Sequence, residues 1–457
     1  MGDALTLEGL ARLAGVAPAD IELWLRAGLL AGPAGAHDDR DLERACVLAR
    51  IVRAGLTVPE VARCGREGTL ADELGEYVES LYPDGGATET VVQLAAELGC
   101  DADELVSLCD AMGLAASVDR LGRTDADALR TIYRARQAGL PEEALLQIVR
   151  VWRDCGDRAA EAALRLFHFY VHAAGPSLAG GASAAEDADA SARRIGARLD
   201  GLLEPTTVYF FRRGYARALI REMIEHASTF SGHTVAADVP GRMAAAVLFV
   251  DLSSFTALAE AMGDVPAAEV LRRFDAVVRT AASDGGGRTV KQIGDAFLLV
   301  FPDPTSAVQC ALDVDAACRR ESRFPAVKCG LTWGDVLYRD GDYVGTKVNL
   351  AARLADSADP HQVLLDAAAA AAFRPAAGES VVARGGRHLK GLPKAVEVFE
   401  AQRALPDRDV RFTDPVCGMG MEADDVRAAV RVDGELHRFC SRRCQRLYAT
   451  NPSRYRV

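Results

Sequence analysis

The segment LARLAGVAPADIELWLRAGLL (10–30) returns as LAAELGCDADELVSLCDAMGL (94–114) with one inserted residue. RIVRAGLTVPE (50–60) returns as RARQAGLPEE (134–143). Gly15 thereby pairs with Gly99 and Gly55 with Gly139, each 84 residues on. Two shared blocks at one offset imply a duplicated helical unit, since one fold copied in tandem keeps its turns in register. Each copy reads as helix, short turn, helix, loop, then a longer helix closed by Ala-Gly-Leu. Repeat 1 spans 1–75 and repeat 2 spans 85–172, so the N-terminal region is all-α. The chain has 457 residues, too many for one core, and further domains must follow.

GPSLAGGASAAEDADAS (175–191) is small, polar and Gly-rich and reads as a loop or linker. TTVYFFRRGYARALIREMIEHAS (206–228) carries a thick apolar stripe behind a Thr N-cap. Residues 192–230 are therefore read as connecting helices. From about 241 to 403 strands alternate with helices, the pattern of an α/β or α+β domain. ALPDRDV (404–410) is a short polar linker, and a compact Cys-bearing module closes the chain at 412–457.

The totals narrow the class of protein. A net charge of −12 argues against a general nucleic-acid or anionic-membrane binder. No apolar run approaches the roughly 20 residues of a membrane helix. MGDALTLEGL lacks the basic and apolar regions of a signal peptide, so a cytoplasmic location is expected. The 11 cysteines are an odd number and mostly scattered, which reads as reduced thiols, not a disulfide framework.

Three stretches of the central domain carry chemistry. VLFVDLSSFT (247–256) is a buried-type strand that ends at Asp251 and opens a helix, whose free N–H groups suit phosphate oxygens. KQIGDAFLLVF (291–301) places Asp295 at a two-residue Gly-Asp hairpin turn. Taken alone, the first reads better as an ordinary strand-to-helix turn with a polar cap, and the second is consistent with a plain hairpin turn. Together, two carboxylates at neighbouring strand ends can hold two divalent cations. GDYVGTKVNLAARLAD (341–356) sets Asn349 and Arg353 four apart on one helix face, among small residues that admit a ligand or partner.

FVDLSSFT, KQIGDAF, GDYVGTKVNLAARL and RGGRHLKGLPKAVEVFEA, in this order, resemble the class III nucleotidyl cyclases. The resemblance covers roughly 243–403 and implies a ferredoxin-like α+β catalytic domain. By position it assigns Asp251 and Asp295 to Mg²⁺ or Mn²⁺, two ions per site, and Lys291 with Asp342 to the purine. It assigns Asn349 and Arg353 to ribose orientation and transition-state stabilisation, and Phe255 and Thr256 to the triphosphate through backbone amides. Lys390, in HLKG, falls near a phosphate-contacting lysine of some relatives. A lysine donates to adenine N1 and an aspartate accepts from its 6-amino group, whereas guanine presents the reverse pattern. The implied reaction is conversion of ATP to 3′,5′-cyclic AMP and pyrophosphate. In this family the site lies between two catalytic domains, and one chain with both halves of the set implies a homodimer.

The ends resemble two other families. TLEGLARLAGVAPADIELWLRAGLLAG with DDRDLERACVLARIVRAGLTVPEVA looks like the winged helix-turn-helix of mercury-resistance-type (MerR) regulators. Residues 1–70 hold eight Arg against ten Asp or Glu, which opposes phosphate contact and favours a regulatory role for a duplicated winged-helix-like unit. DPVCGM, FCSRRC and NPSRY resemble the YHS family of small, often metal-associated modules. Cys417, Cys440 and Cys444 are spaced to converge on zinc or another soft or borderline cation, with His437 or Asp414 available as a fourth ligand. The leading expectation is an adenylate cyclase regulated by its N-terminal region and by metal at its tail. The alternative is a DNA-binding, metal-responsive regulator whose cyclase domain binds nucleotide without turning it over. A guanylate cyclase is a third reading, opposed by Lys291 and Asp342.

Overall fold

The computed structural model describes residues 5–30, 37–67, 70–81, 89–114, 120–172, 182–230, 239–321, 323–404, 412–432 and 434–455. The chain divides into two compact units, Met1–Phe210 and Phe211–Val457.

The first unit is helical. Helices α1 (Leu7–Ala14), α2 (Pro18–Arg26), α3 (Asp39–Arg53), α4 (Val58–Glu67) and α5 (Leu70–Leu81) surround one core. Helices α6 (Val91–Leu98), α7 (Ala102–Met112), α8 (Arg123–Gln137) and α9 (Glu142–Phe167) surround another. The 84-residue offset of the sequence recurs in the backbone. Gly15 and Gly99 end their helices at φ 70° and 68°, and Gly55 and Gly139 take φ 116° and 100°, which only glycine adopts freely. The bridge between Leu5 and His37 recurs as Glu89 against Leu121, where β1 (Glu89–Thr90) meets β2 (Arg120–Leu121). Buried Leu10, Ile21 and Trp24 recur as buried Leu94, Leu105 and Leu108. Each helical group buries an apolar face of its own at positions 84 residues apart.

Two expectations fail between the units. Residues 182–191, expected as linker, belong to one helix, α10 (Ala182–Phe230), and the rest of that stretch lies outside the described residues. Thr206 and Thr207, expected to cap a helix start, sit inside α10 just after Pro205. Ala, Glu and Asp in ASAAEDADAS are compatible with helix in spite of their small, polar look. Of the expected linker 404–410, only Ala404 is described.

The second unit is built on an eight-stranded mixed sheet, β4-β5-β3-β6-β8-β10-β9, with β7 paired to β6. The strands are β3 (Arg242–Leu252), β4 (Arg288–Ile293), β5 (Ala296–Phe301), β6 (Val327–Arg339), β7 (Asp342–Val344), β8 (Val363–Asp366), β9 (Glu379–Arg387) and β10 (Val396–Arg403). The helices are α11 (Phe255–Met262), α12 (Asp264–Asp284), α13 (Pro304–Arg320), α14 (Thr346–Ser357) and α15 (Ala367–Ala372). All pairs are antiparallel except β6 with β8. Strand β3 is central and buried on both faces, so it reads as a continuous apolar run. Ala246, Leu248 and Val250 meet α12 and α13 in the main core. Ala245 and Val247 face the opposite core with Ala351 of α14.

Helix α14 lies close because β6 has glycine beneath it. A Cβ on Gly330 would stand 2.2 Å from Ala355 N and 2.3 Å from Ala351 O. Of the small residues between Asn349 and Arg353, Ala351 is buried and serves helix-to-strand packing, as Ala355 does, whereas Ala352 is half-buried. The tail, β11 (Phe412–Thr413), β12 (Gly420–Met421), β13 (Ala428–Val432), β14 (Glu435–Phe439) and α16 (Arg442–Thr450), packs on α11 through one shared core.

Candidate active site

Strand β3 delivers Asp251 beside the β4–β5 turn. Asp251 is the register partner of Ala296, the residue after Asp295. Ile293 faces Ala296 across the hairpin, and Gly294 takes φ 64°, so Gly294 and Asp295 form the two-residue turn. The two carboxyl groups are close enough for the charge on Asp295 to act on Asp251. Burial, reinforced by the Asp295 charge, pushes the Asp251 carboxyl up to about 7. Burial also raises Asp295. Two half-buried carboxylates that repel each other gain from a divalent cation between them, so the donor set fits Mg²⁺ or Mn²⁺.

The turn after Asp251 faces the same cleft. Ser254 is left-handed at φ 58°, a conformation costly for a non-glycine residue and frequent at functional turns. It starts α11 with no side-chain cap. The first N–H groups of α11, including those of Phe255 and Thr256, are then left for a ligand. A cleft of about 390 Å³ is lined by Asp251, Asp295, Ser254, Phe255, Thr256 and Ala257 from this domain.

Lys291 on β4 and Asp342 on β7 form an ion pair, both part-exposed. Tyr343 N donates to the other Asp342 oxygen at 2.8 Å, which fixes that carboxylate. Asn349 is exposed on α14. Arg353 reaches Asp356 at 3.0 Å with 42% of its side chain exposed. None of these four lines the aspartate cleft. One chain thus carries two separate groups of site residues, Asp251 with Asp295 and Lys291 with Asp342, and an open helix face bearing Asn349 and Arg353. Lys390 is exposed after buried Leu389 and does not line the cleft either.

The tail gathers Asp414, Cys417, Cys440 and Cys444, all buried, with their ligand atoms within 4.8 Å of one another. The sulfurs of Cys417 and Cys440 are 3.6 Å apart, and those of Cys440 and Cys444 3.7 Å. Tetrahedral zinc with Zn–S bonds of about 2.3 Å needs sulfurs about 3.8 Å apart. Hydrogen bonding by the neighbouring Cys417 and Cys440 thiols pulls Cys444 well below the usual thiol range. The hydrogen bond with Cys440 pushes Cys417 up. Asp414 accepts from the N–H groups of Val416 and Cys440, each at 2.8 Å, and so shapes the loop. His437 stands apart from the cluster. Its Nε2 lies 3.1 Å from the Tyr448 hydroxyl, so the fourth position falls to Asp414. The His437 ring packs on Tyr448 with centroids 4.9 Å apart, a tertiary contact that motif spacing does not report.

The sequence did not reveal that Pro415, Val416, Arg454 and Tyr455 of the tail also line the Asp251–Asp295 cleft. NPSRY was legible as a motif, but nothing in its spacing relates it to a turn some 200 residues earlier.

Residues 241–401 match the Adenylate and Guanylate cyclase catalytic domain family. An uncharacterized protein of Mycobacterium tuberculosis is 33% identical over 382 residues, which cover 82% of this chain and 94% of that protein. A pH-sensitive adenylate cyclase of M. tuberculosis is 27% identical over 378 residues, 79% of this chain and 88% of its own length. An adenylate cyclase of Glutamicibacter nicotianae is 40% identical over 135 residues, 30% of this chain and 34% of that protein. The crystal structure of the adenylyl cyclase CyaB from P. aeruginosa aligns over 36% of this chain and 97% of its own at 19% identity, with a TM-score of 0.33. Residues 241–401 are thus a class III adenylate and guanylate cyclase catalytic domain, within a chain that is similar along most of its length to an uncharacterized mycobacterial protein.

Proposed function

We propose that the chain is an adenylate cyclase that works as a homodimer. The observation that carries the choice of purine is the Lys291–Asp342 ion pair, a donor beside an acceptor at the edge of the sheet. Adenine satisfies both, and guanine sets donor against donor and acceptor against acceptor. A mismatch in such a site leaves polar groups unpaired, which costs about 1–3 kcal/mol each. Relatives that carry the name adenylate cyclase agree with this reading. They do not favour a regulator with an idle cyclase domain. The proposed DNA contact is also poorly equipped, since Arg26 of α2 lies 3.6 Å from Glu22.

Asp251 and Asp295 would hold two Mg²⁺ or Mn²⁺ ions, which when bound acidify the ribose 3′-hydroxyl and screen the polyphosphate. The N-terminus of α11 receives phosphate oxygens through the N–H groups of Phe255 and Thr256. Asn349 orients the ribose, and Arg353 places positive charge at the α-phosphate as the 3′-oxygen bonds to phosphorus and pyrophosphate leaves. Two observations support the homodimer. The Asn349 and Arg353 face of α14 is open, and neither residue reaches its own chain's aspartate cleft. Val208, Phe211, Tyr215, Leu219 and Met223 also form an exposed apolar stripe along α10 at helical spacing.

The regulatory part of the proposal rests on the two ends. The duplicated helical unit acts through α10, and the Asp414–Cys417–Cys440–Cys444 cluster binds zinc or a similar cation. Its support is four buried side chains whose ligand atoms lie within 4.8 Å of one another, two of the sulfur pairs at 3.6 and 3.7 Å.

The test is product formation by the full-length chain with Mn²⁺ and, separately, ATP or GTP. Cyclic AMP from ATP, with cyclic GMP at least about 100-fold slower, is the expected result. Equal use of both nucleotides refutes the purine assignment, and no product from either refutes the activity.

A further inference from the structure

We propose that the C-terminal cysteine module forms the outer wall of the phosphate end of the nucleotide site, and that Arg454 binds the polyphosphate of the substrate. The inference rests on the nucleotide-cyclase reading and goes beyond it, because the residue comes from outside the catalytic domain.

The module is fastened to the phosphate-facing turn itself. Gly418 takes φ 68°, and a Cβ there would stand 2.4 Å from Ser253 O, so only glycine permits the approach. Gly418 O accepts from Ala326 N at 2.9 Å, and Ala326 O accepts from Ser253 N at 2.8 Å. Gly420 N donates to Phe324 O at 2.9 Å. A continuous backbone network thus joins the tail to the residues just after Asp251. Side chains add to it. Ala257 and Leu258 of α11 share a core with Val416, Met419, Phe439 and Tyr448. The Arg443 guanidinium donates to Glu260 O near the end of α11.

This docking brings Arg454 to the mouth of the cleft. Among the lining residues it is the one cation, and it faces two carboxylates and the start of α11. Its present partner is Glu260, 3.2 Å away, with both side chains about half exposed. An ion pair so open to water is weak, and a phosphate group competes for it readily. A guanidinium suits that exchange, since its planar fork matches two phosphate oxygens at once. The cleft keeps about 390 Å³ of space with the tail in place, within the range of small-ligand sites. The tail therefore walls the cleft without filling it.

The test uses the full-length chain and compares Arg454→Ala, Arg454→Lys and, as a control elsewhere on the module, Arg427→Ala. Two readouts are taken, steady-state kinetics with ATP and Mn²⁺, and calorimetric binding of inorganic pyrophosphate with Mn²⁺. Arg454→Ala is expected to raise KM for ATP and to weaken pyrophosphate binding, each about 10-fold, with kcat within about threefold. Arg454→Lys recovers part of both, and Arg427→Ala changes neither. Unchanged KM and pyrophosphate affinity in a folded Arg454→Ala protein overturn the proposal. A rise in kcat at constant KM also overturns it and makes the tail an inhibitory cover. Wild-type protein that binds pyrophosphate through Arg454 but makes no cyclic nucleotide supports this inference while refuting the activity.

Discussion

Replacing Asp251 by Asn should abolish turnover and at the same time stabilise the metal-free protein. Burial and the neighbouring Asp295 lift the Asp251 carboxyl from its ordinary 3.8 to about 7. At about 1.4 kcal/mol per pH unit, ionising it in the fold costs up to about 4 kcal/mol. Because the folded value is raised, the carboxyl's contribution to stability is complete below about pH 4 and is lost as pH rises through about 7. Asn carries no charge, so its advantage over Asp grows through that window and is flat above it. Between about pH 5.5 and pH 8.5 the advantage should increase by about 2 kcal/mol, or about 4–8 °C in melting temperature. The assay is scanning calorimetry of both full-length proteins with a chelator present. Adding Mn²⁺ should then reverse the order at high pH, since only the wild type gains from binding the ion. An advantage that does not change with pH, or an Asn variant less stable at about pH 8.5 without metal, would refute the reasoning.

Three other perturbations follow from the structure. Lys291→Glu should lower kcat/KM for ATP at least about 100-fold and leave the oligomeric state intact, as read by product assay and sedimentation. Gly330→Ala forces a Cβ to within 2.3 Å of Ala351 O and so pushes α14 off β6. It should cost about 3 kcal/mol of stability in denaturant titration and displace Asn349 and Arg353. Cys440→Ser should remove one equivalent of bound zinc per chain, measured by mass spectrometry of native protein, where His437→Ala should remove none.

The legible parts of the sequence were those in which local chemistry and position coincide. A strand that ends in Asp251 and a Gly-Asp hairpin at Asp295 are specified within ten residues each, and antiparallel pairing of β3 with β5 brings them together. Gly15, Gly55, Gly99 and Gly139 stand out in the sequence because left-handed backbone constrains each individually. Other features depend on partners distant in sequence. The packing role of Ala351 depends on Gly330, a strand residue about 20 positions earlier that lies beneath it. The small residues of 182–191 resemble a linker, whereas their Ala and acidic content is consistent with the helix observed. The fold back of the DPVC loop onto Cys440 places Asp414 among the sulfurs while His437 meets Tyr448, and a core shared between the tail and α11 places Arg454.

The central claim is that Asp251 with Asp295 on one chain and Asn349 with Arg353 on another make one catalytic centre. Co-expressing Asp251→Ala with Arg353→Ala, each inactive alone, tests it most directly. Mixed dimers should recover cyclic AMP synthesis through a single intact site, at about a quarter of wild-type activity if the chains pair at random with one site in each mixed dimer. Inactive mixed dimers, purified by two different tags, would contradict the shared site.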